Sequence, residues 1–363
     1  MQSNHRLNSR QQRVLWATVR HYVATAEPVG SKSLVEEYNL QASPATIRNA
    51  MGVLEKTGLL YQPHTSAGRV PSDSGYRTYV DQLMQPADAI AQDVNTLFDT
   101  QLDWEGSSLE ALLKGAAQIL SSLSGYITLV TLPRTRTAAL RHIQLVQVAP
   151  GQILLVVVLD SYGTQSVLIR LPGTVEERHH DLGQLDQELQ LLSNFLNHQL
   201  RGQPLETVTQ INWSDLDREF LRYAEALKQA MGDLARQSQS PAAAQIMVSG
   251  LAEVLRQPEF AESHQVQAIV RLLEEERQQL WPLMFETNDP DKPGKRVRIL
   301  IGAENPLEPM HGCTLVSSTY QKGVVPIGSI GMVGPTRMVY ENAVALVEAA
   351  ADYFSETLSS EMG

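Results

Sequence analysis

The stretch LQASPATIRNAMGVLEKTG, residues 40–58, decides the fold of the N-terminal part of this chain. Ser43 is a favoured helix N-cap, and Pro44 suits the first helical position because no hydrogen-bonded N–H is lost there. Apolar residues recur at helical spacing and predict one buried stripe: Ile47, Met51 and Leu54. Gly58 predicts the helix end, since glycine adopts the left-handed conformation needed there. The stretch is therefore expected to form a helix with one buried face and one polar face.

The segments on either side extend this helix into a winged helix-turn-helix. The expected elements are a helix over 9–25, a helix over 31–38, a turn over 39–42, the recognition helix over 43–57, and strands at 59–61 and 69–70. In this arrangement the first helix of the motif braces the DNA backbone, and the second places its N-terminal residues in the major groove. The polar loop between the two strands, residues 62–68, is the expected wing.

The outward residues of this motif are the candidate DNA contacts. Arg48 can make a bidentate contact with guanine and Asn49 with adenine, each worth about 1–3 kcal/mol of discrimination. Thr46 can reach a phosphate or a thymine methyl group, and arginine in the wing is favoured at phosphates or in the minor groove. The predicted contact residues are Ser43, Ala45, Thr46, Arg48 and Asn49 in the helix, His64, Thr65, Ser66 and Arg69 in the wing, and Arg77 after it.

Charge is distributed unevenly along the chain. The formal net charge is −11, yet the first 80 residues carry nine Lys/Arg against five Asp/Glu, whereas the remaining residues carry 20 against 35. A basic module on an acidic chain favours nucleic-acid binding by that module. Two alternatives stay open, because a three-helix bundle can carry a solvated charged face and winged helices can also bind proteins.

Beyond the motif, the hydrophobic period predicts an α+β multidomain chain. Residues 81–125 are expected to be mostly helical, and strands are expected at 126–132, 141–148, 152–160 and 164–171 as an antiparallel meander. Helices follow from about 174 to 285, then strands at 297–303, 313–320 and 324–333 and a closing helix at 338–358. The predicted domains are the DNA-binding domain 1–82, an α+β domain of 83–173 and 294–363, and an inserted, mostly helical domain 174–293.

Other residue patterns favour structural roles over chemistry. Cys313 is the only cysteine and is predicted to be a structural strand residue, since nothing nearby completes a nucleophilic set. The cluster at 177–181 matches no closed zinc pattern and is expected to be a solvated loop. Arg337 is expected to be a structural salt-bridge partner. The leucine stripe at 185–196 could be buried in its own domain or face a second subunit. We predict no enzyme activity, cofactor or metal site.

The same patterns set expectations for the compartment. A single cysteine fits a reducing environment, the first thirty residues show no apolar signal segment, and no apolar run reaches the length of a membrane span. The cytoplasm is the expected compartment, with no membrane partner.

Several blocks of sequence resemble the HrcA family of heat-inducible transcription repressors. They are residues 28–32, 40–49, 62–71 and 75–81 near the N-terminus, 247–251 and 258–260 in the middle, and 301–305 and 328–338 near the C-terminus. The chain departs from the family at Ala50, where an acidic residue is usual, and at Ser74, where lysine is common. Both departures lie close to the candidate DNA contacts.

The resemblance implies a dimeric repressor of chaperone operons that binds an inverted-repeat, CIRCE-type operator. It also implies a winged-helix domain, a GAF-like domain and an inserted dimerisation domain, with repressor activity promoted by the GroE chaperonin. A ligand- or protein-sensing adaptor is the alternative, and a GAF-type small-molecule sensor is compatible with the repressor. The residues do not choose between direct heat sensing and chaperonin control.

Overall fold

The computed structural model describes residues 7–85, 87–133, 139–159, 164–170, 182–204, 207, 221–239, 246–260, 263–285 and 296–361. The chain forms two compact units, one of Met1–Leu132 with Ile246–Gly363 and one of Pro133–Gln245. In the first unit we call residues 7–82 the head, and residues 83–132 with 246–361 the body. Within the described residues, no helix is both long and apolar enough to cross a membrane.

The helices and strands follow one another along the chain. They are α1 (Ser9–Thr25), α2 (Ser31–Tyr38), α3 (Pro44–Lys56), β1 (Leu60–Tyr61), β2 (Val70–Pro71), α4 (Asp73–Gln82), α5 (Asp88–Gln101), α6 (Leu109–Ser124), β3 (Ile127–Thr131), β4 (Leu140–Ala149), β5 (Gln152–Leu159), β6 (Thr164–Arg170), α7 (Leu182–Leu200), α8 (Leu221–Gln239), β7 (Ile246–Ser249), α9 (Leu251–Val254), α10 (Ser263–Glu274), α11 (Leu280–Phe285), β8 (Val297–Ile301), β9 (Cys313–Lys322), β10 (Val325–Pro335) and α12 (Tyr340–Glu361).

The head contains the predicted three helices and hairpin. The side chain of Asn8 caps α1, and Ser43 Oγ caps α3 by accepting a hydrogen bond from Thr46 N at 3.2 Å. Gly58 follows α3 with φ +77°, the left-handed backbone expected of a residue that ends a helix. Strands β1 and β2 are antiparallel, and β2 is extended by a bridge in which Val29 and Arg69 exchange two backbone hydrogen bonds of 2.9 Å. The sequence prediction of these elements is confirmed.

The body is built on a five-stranded antiparallel sheet in the order β7-β3-β10-β9-β8. Alternate side chains of its strands enter two apolar clusters, so both faces of the sheet are covered. Helices α5, α6 and α12 cover one face, and α10 and α11 cover the other. The first of these clusters continues without interruption into the core of the head.

The second unit is a three-stranded antiparallel sheet, β4-β5-β6, whose inner face packs against α7 and α8. Leu189, Leu192 and Leu196 are buried in this core, so this part of the leucine stripe belongs to the interior of its own unit. On α8, apolar residues at helical spacing between Tyr223 and Leu234 are buried in the same core.

The structure differs from the sequence prediction in three features. Strand β3 belongs to the five-stranded sheet and not to the predicted meander, because it pairs with β10 and β7. Residues 246–249 form strand β7, although that segment was expected to be helical. Because β4–β6 belong to the second unit, that unit spans 133–245 rather than 174–293, and its described residues contain a three-stranded sheet as well as two helices. Apolar periodicity identifies a strand but not its partner, which explains the first and third differences; the second arises because a short apolar run cannot be told from a buried helix segment by periodicity alone.

The predicted solvated loop at 177–181 lies outside the described residues.

Candidate nucleic-acid interface

Helix α3 presents a polar surface at its N-terminal end. Its buried side chains lie on one face: Ile47, Ala50, Met51 and Leu54. Ala45, Arg48 and Asn49 are exposed on the other side, and Ser43 is exposed beside them. Thr46 is half-buried, with its hydroxyl 2.9 Å from Ser43 Oγ, so its first role is in the cap. The helix therefore offers one guanidinium and one amide to a partner, the two groups that can make bidentate contacts with guanine and adenine.

The wing is a cross-braced loop with a polar tip. His64, Thr65 and Ser66 are exposed. Gln62 Nε2 donates to two loop carbonyls, Thr65 O at 2.9 Å and Ala67 O at 2.8 Å. These bonds hold the tip in one shape before any partner arrives, which lowers the entropy lost on binding.

Gly68 fixes the base of the wing. A Cβ atom at this position would lie 2.4 Å from Val29 O, so only glycine lets the wing approach the segment before α2 this closely. The bridge between Val29 and Arg69 depends on that approach.

Arg69 lies at the base of the wing and not at its tip. Its Nε and Nη2 atoms lie 3.0 Å and 2.9 Å from Glu55 Oε2, and its side chain is 22% exposed. Glu55 belongs to α3, so the ion pair fastens the wing to the predicted recognition helix. The sequence assigned Arg69 to phosphate; the structure shows a guanidinium already engaged by a carboxylate.

Arg77 is also engaged inside the protein. Its Nε donates to Glu304 Oε1 at 2.8 Å and its Nη2 donates to Ile299 O at 2.6 Å, and Asp81 Oδ1 lies 3.7 Å from Nη1. Burial alone would lower the pKa of Arg77, but the hydrogen bond and charge of Glu304 outweigh it, and the net pKa is raised. The structure therefore shows Arg77 on α4, where it binds the body, and its predicted phosphate contact stays a prediction. Tyr76, beside it, is buried.

Five exposed cations among the described residues of the head were not among the predicted contacts. They are Arg10, Arg13 and Arg20 in α1, Lys32 in α2 and Lys56 in α3. The charge count of the first 80 residues included them, but no local pattern distinguished them from ordinary solvated side chains.

The contacts of Cys313 and Arg337 indicate structural roles. Cys313 is buried in β9, and burial raises the pKa of its thiol to about 12, which disfavours the nucleophilic thiolate. Arg337 is the predicted ion-pair partner, and it pairs with Glu259. Among the described residues, no group of three or more His, Cys, Asp or Glu side chains could hold a metal ion.

Comparison with known proteins gives the family. The family model described as "HrcA protein C terminal domain" matches residues 110–344. "Heat-inducible transcription repressor HrcA" of Trichormus variabilis (strain ATCC 29413 / PCC 7937) is 58% identical over 361 residues, which covers 97% of this chain and 99% of the relative. The chain belongs to the HrcA family of heat-inducible transcription repressors.

A further relative supports this HrcA assignment, and one solved structure shares the fold of the chain. The protein of the same name from Nostoc punctiforme (strain ATCC 29133 / PCC 73102) is 56% identical, covering 97% of this chain and 98% of the relative. A solved structure, "Crystal structure of a hypothetical protein at 2.2 A resolution", superposes with a TM-score of 0.62 at 23% identity, covering 98% of this chain and 99% of that one. This last likeness concerns the fold of the HrcA chain alone.

Proposed function

We propose that this HrcA-family chain is a sequence-specific DNA-binding repressor of heat-shock chaperone operons, with a head that is a winged helix-turn-helix. The observation that carries the proposal is the exposed N-terminal face of α3, where Arg48 and Asn49 stand outward above a buried apolar stripe. A side chain that reads a base edge must be exposed and held on a rigid helix, and Arg48 and Asn49 meet both requirements.

The contacts divide by chemistry. Arg48 and Asn49 read bases, while Ser43, Ala45 and Thr46 lie against the DNA at the start of α3. His64, Thr65 and Ser66 follow the backbone or the minor groove. Arg69 supports the wing through Glu55.

We propose that the protein acts as a homodimer on a CIRCE-type inverted repeat. Two-fold symmetric proteins read inverted repeats because each subunit presents the same helix to one half-site, and joining two heads raises affinity without new contacts. The second unit, 133–245, would supply the dimer contact, and the body would be GAF-like. Since the partner is chromosomal DNA, the cytoplasm is its place of action. Sedimentation equilibrium tests the dimer.

A salt titration distinguishes DNA recognition from the alternative, a head that binds another protein. For a protein with 6–10 phosphate contacts, affinity falls by roughly 10³–10⁵-fold between 50 and 200 mM salt. Operator binding is measured by fluorescence anisotropy on a CIRCE-type duplex and on a scrambled duplex of equal length. Equal affinity for the two duplexes would reject sequence-specific repression.

Arg48→Ala carries the residue-level test, and Arg256→Ala is its matched control. Arg256 is also an exposed arginine, but it lies in the body, just after α9. The first change should reduce the preference for the operator, and the second should not.

We propose, from family membership, that the GroE chaperonin promotes the active repressor. Operator occupancy of the pure protein is measured from 25 °C to heat-shock temperature, with and without chaperonin. Recovery of occupancy only with chaperonin supports this control, and identical curves reject it. A small-molecule role of the body is tested by thermal-shift screening of metabolites, since a ligand stabilises the state it binds.

A further inference from the structure

Helix α4 is fastened to the body by polar contacts with one loop. Arg77 donates to Glu304 and to Ile299 O, the latter at 2.6 Å, and Asp73 Oδ2 accepts a hydrogen bond from Ala303 N at 3.0 Å. Both α4 side chains therefore bind the segment that ends β8. The head is thus joined to the body by directional bonds in addition to the shared apolar core.

The loop that receives α4 is itself rigid. Asn305 Nδ2 lies within hydrogen-bond distance of four backbone carbonyls, those of Gly302 at 2.9 Å, Cys313 at 3.0 Å, Met310 at 3.2 Å and Leu300 at 3.4 Å. Gly302 has φ +53°, and a Cβ atom there would lie 2.1 Å from Asp73 Oδ2. The absence of a side chain at Gly302 therefore leaves the room that the Asp73 carboxylate occupies.

A second clamp holds the other end of the head. Arg337 Nη1 donates to Val23 O, in the last turn of α1, at 3.1 Å. The same guanidinium pairs with Glu259 and donates to Gln257 Oε1 at 3.0 Å. The last carbonyls of a helix lack partners inside the helix and favour a cation, so Arg337 suits this place.

We propose that Arg77 and Arg337 are positioning residues for operator recognition: they hold the head at one orientation on the body and do not touch DNA. The inference rests on the proposed function, because orientation matters only if two heads must reach two half-sites together. When one head of the dimer has bound its half-site, the other head, held at a fixed orientation, loses little freedom on binding. The second half-site is therefore bound at high effective concentration.

The test compares each arginine with its own carboxylate. The variants are Arg77→Gln, Glu304→Gln, Arg337→Gln and Glu259→Gln, and the control is Arg296→Gln. Arg296 pairs with Asp352 at 2.6 Å within the body, so this control removes a guanidinium–carboxylate pair that does not involve the head. Affinity is measured on a duplex with one repeat, on the full inverted repeat, and on an inverted repeat whose spacer is lengthened by half a helical turn.

If the two arginines position the head, substituting the arginine or the glutamate of the same ion pair gives the same result. Affinity for the full repeat falls at least tenfold, affinity and salt slope on the single repeat stay within about twofold, and the penalty for the lengthened spacer shrinks. The control variant matches the wild type. A phosphate contact predicts opposite results: Arg77→Gln weakens single-repeat binding and lowers the salt slope by about 1, whereas Glu304→Gln frees the guanidinium and strengthens binding.

Two further comparisons keep the outcomes distinct. If Arg77→Gln does not fold, Arg77→Lys and Glu304→Gln carry the test, and full-repeat affinity equal to the wild type in both overturns the proposal. Failure of the proposed function itself would appear in the wild type, as an absence of preference for the inverted repeat over a scrambled duplex.

Discussion

Replacing Gly68 with alanine should loosen the wing by an amount that the structure allows us to work out. The new Cβ would lie 2.4 Å from Val29 O, 2.5 Å from Val29 C and 2.6 Å from Pro28 C. All three are backbone atoms, so no flexible side chain can move aside. The segment at Pro28 and Val29 must move away from the base of the wing, and the two backbone hydrogen bonds between Val29 and Arg69 are lost.

Each of those bonds contributes about 0.5–1.5 kcal/mol, so the free energy that opposes local opening of the wing should fall by about 1–3 kcal/mol. Amide hydrogen exchange in peptides from residues 60–71 should then be roughly 5- to 150-fold faster, because each 1.4 kcal/mol changes an opening equilibrium tenfold.

Gly52→Ala is the matched control. Nothing lies within 4 Å of a Cβ built at Gly52, and the residue is inside α3. This change should stabilise the helix by about 0.5–1 kcal/mol and leave wing exchange as it is in the wild type. Unchanged wing exchange in Gly68→Ala, or equal acceleration in both variants, would refute the argument from close backbone approach.

Three more predictions concern single residues. Arg48→Ala should reduce discrimination between the operator and base-substituted duplexes by about 1–3 kcal/mol in competition binding, and an equal loss on every duplex would contradict a base contact. Asn305→Asp should lower the unfolding temperature more than Asn305→Ala, because it points a carboxylate at three buried carbonyls and removes their donor; the reverse order in differential scanning fluorimetry would contradict this. Burial raises the pKa of the Cys313 thiol from near 9 to about 12, so in this pH range the folded protein keeps a proton that the unfolded chain releases. The free energy of unfolding should therefore fall as pH rises from about 9 toward 12, by at most about 1.4 kcal/mol per pH unit. Urea unfolding at pH 8 and pH 10 measures this, and a fall as steep in Cys313→Ala as in the wild type would assign it to other groups.

The boundaries of α3 could be predicted from sequence because their causes are local. The cap bond of Ser43, the position of Pro44 and the left-handed backbone of Gly58 each involve residues within three or four positions. The exposed face followed from helical spacing, and burial agrees with it for Arg48 and Asn49. That these two side chains touch bases stays a prediction.

The partners of the two half-buried arginines could not be predicted in the same way. Arg69 is 14 residues from Glu55, and Arg77 is 227 residues from Glu304. Charge and spacing made both arginines look free, because an ion pair across such separations leaves no local pattern. Helix α4 had a local signal, since Ser72 caps it at Gly75 N with a bond of 3.1 Å, but a cap does not show what the helix packs against.

Strand pairing was hidden for a related reason. The alternation in β4–β6 correctly predicted three strands, yet β3 has the same apolar character and belongs to another sheet. The partners of β3 are β7 and β10, and both follow more than one hundred residues later in the chain. A one-dimensional pattern records which residues avoid water and not which strand they meet.

The pairing of β3 with β7 has an evolutionary consequence. Thr131 and Ile246 are direct neighbours in the ladder, and facing residues of antiparallel strands have Cα atoms only about 4.5–5.5 Å apart. The chain leaves the first unit after β3 and returns to it at β7, and the distance between these two points is short enough for a tight turn to span. Because closing a loop costs only about 0.6 kcal/mol more for each doubling of its length, the second unit can be inserted at this gap at a modest cost to the first. Changes in the length of the inserted unit during evolution are therefore expected to leave the pairing of β3 with β7 intact.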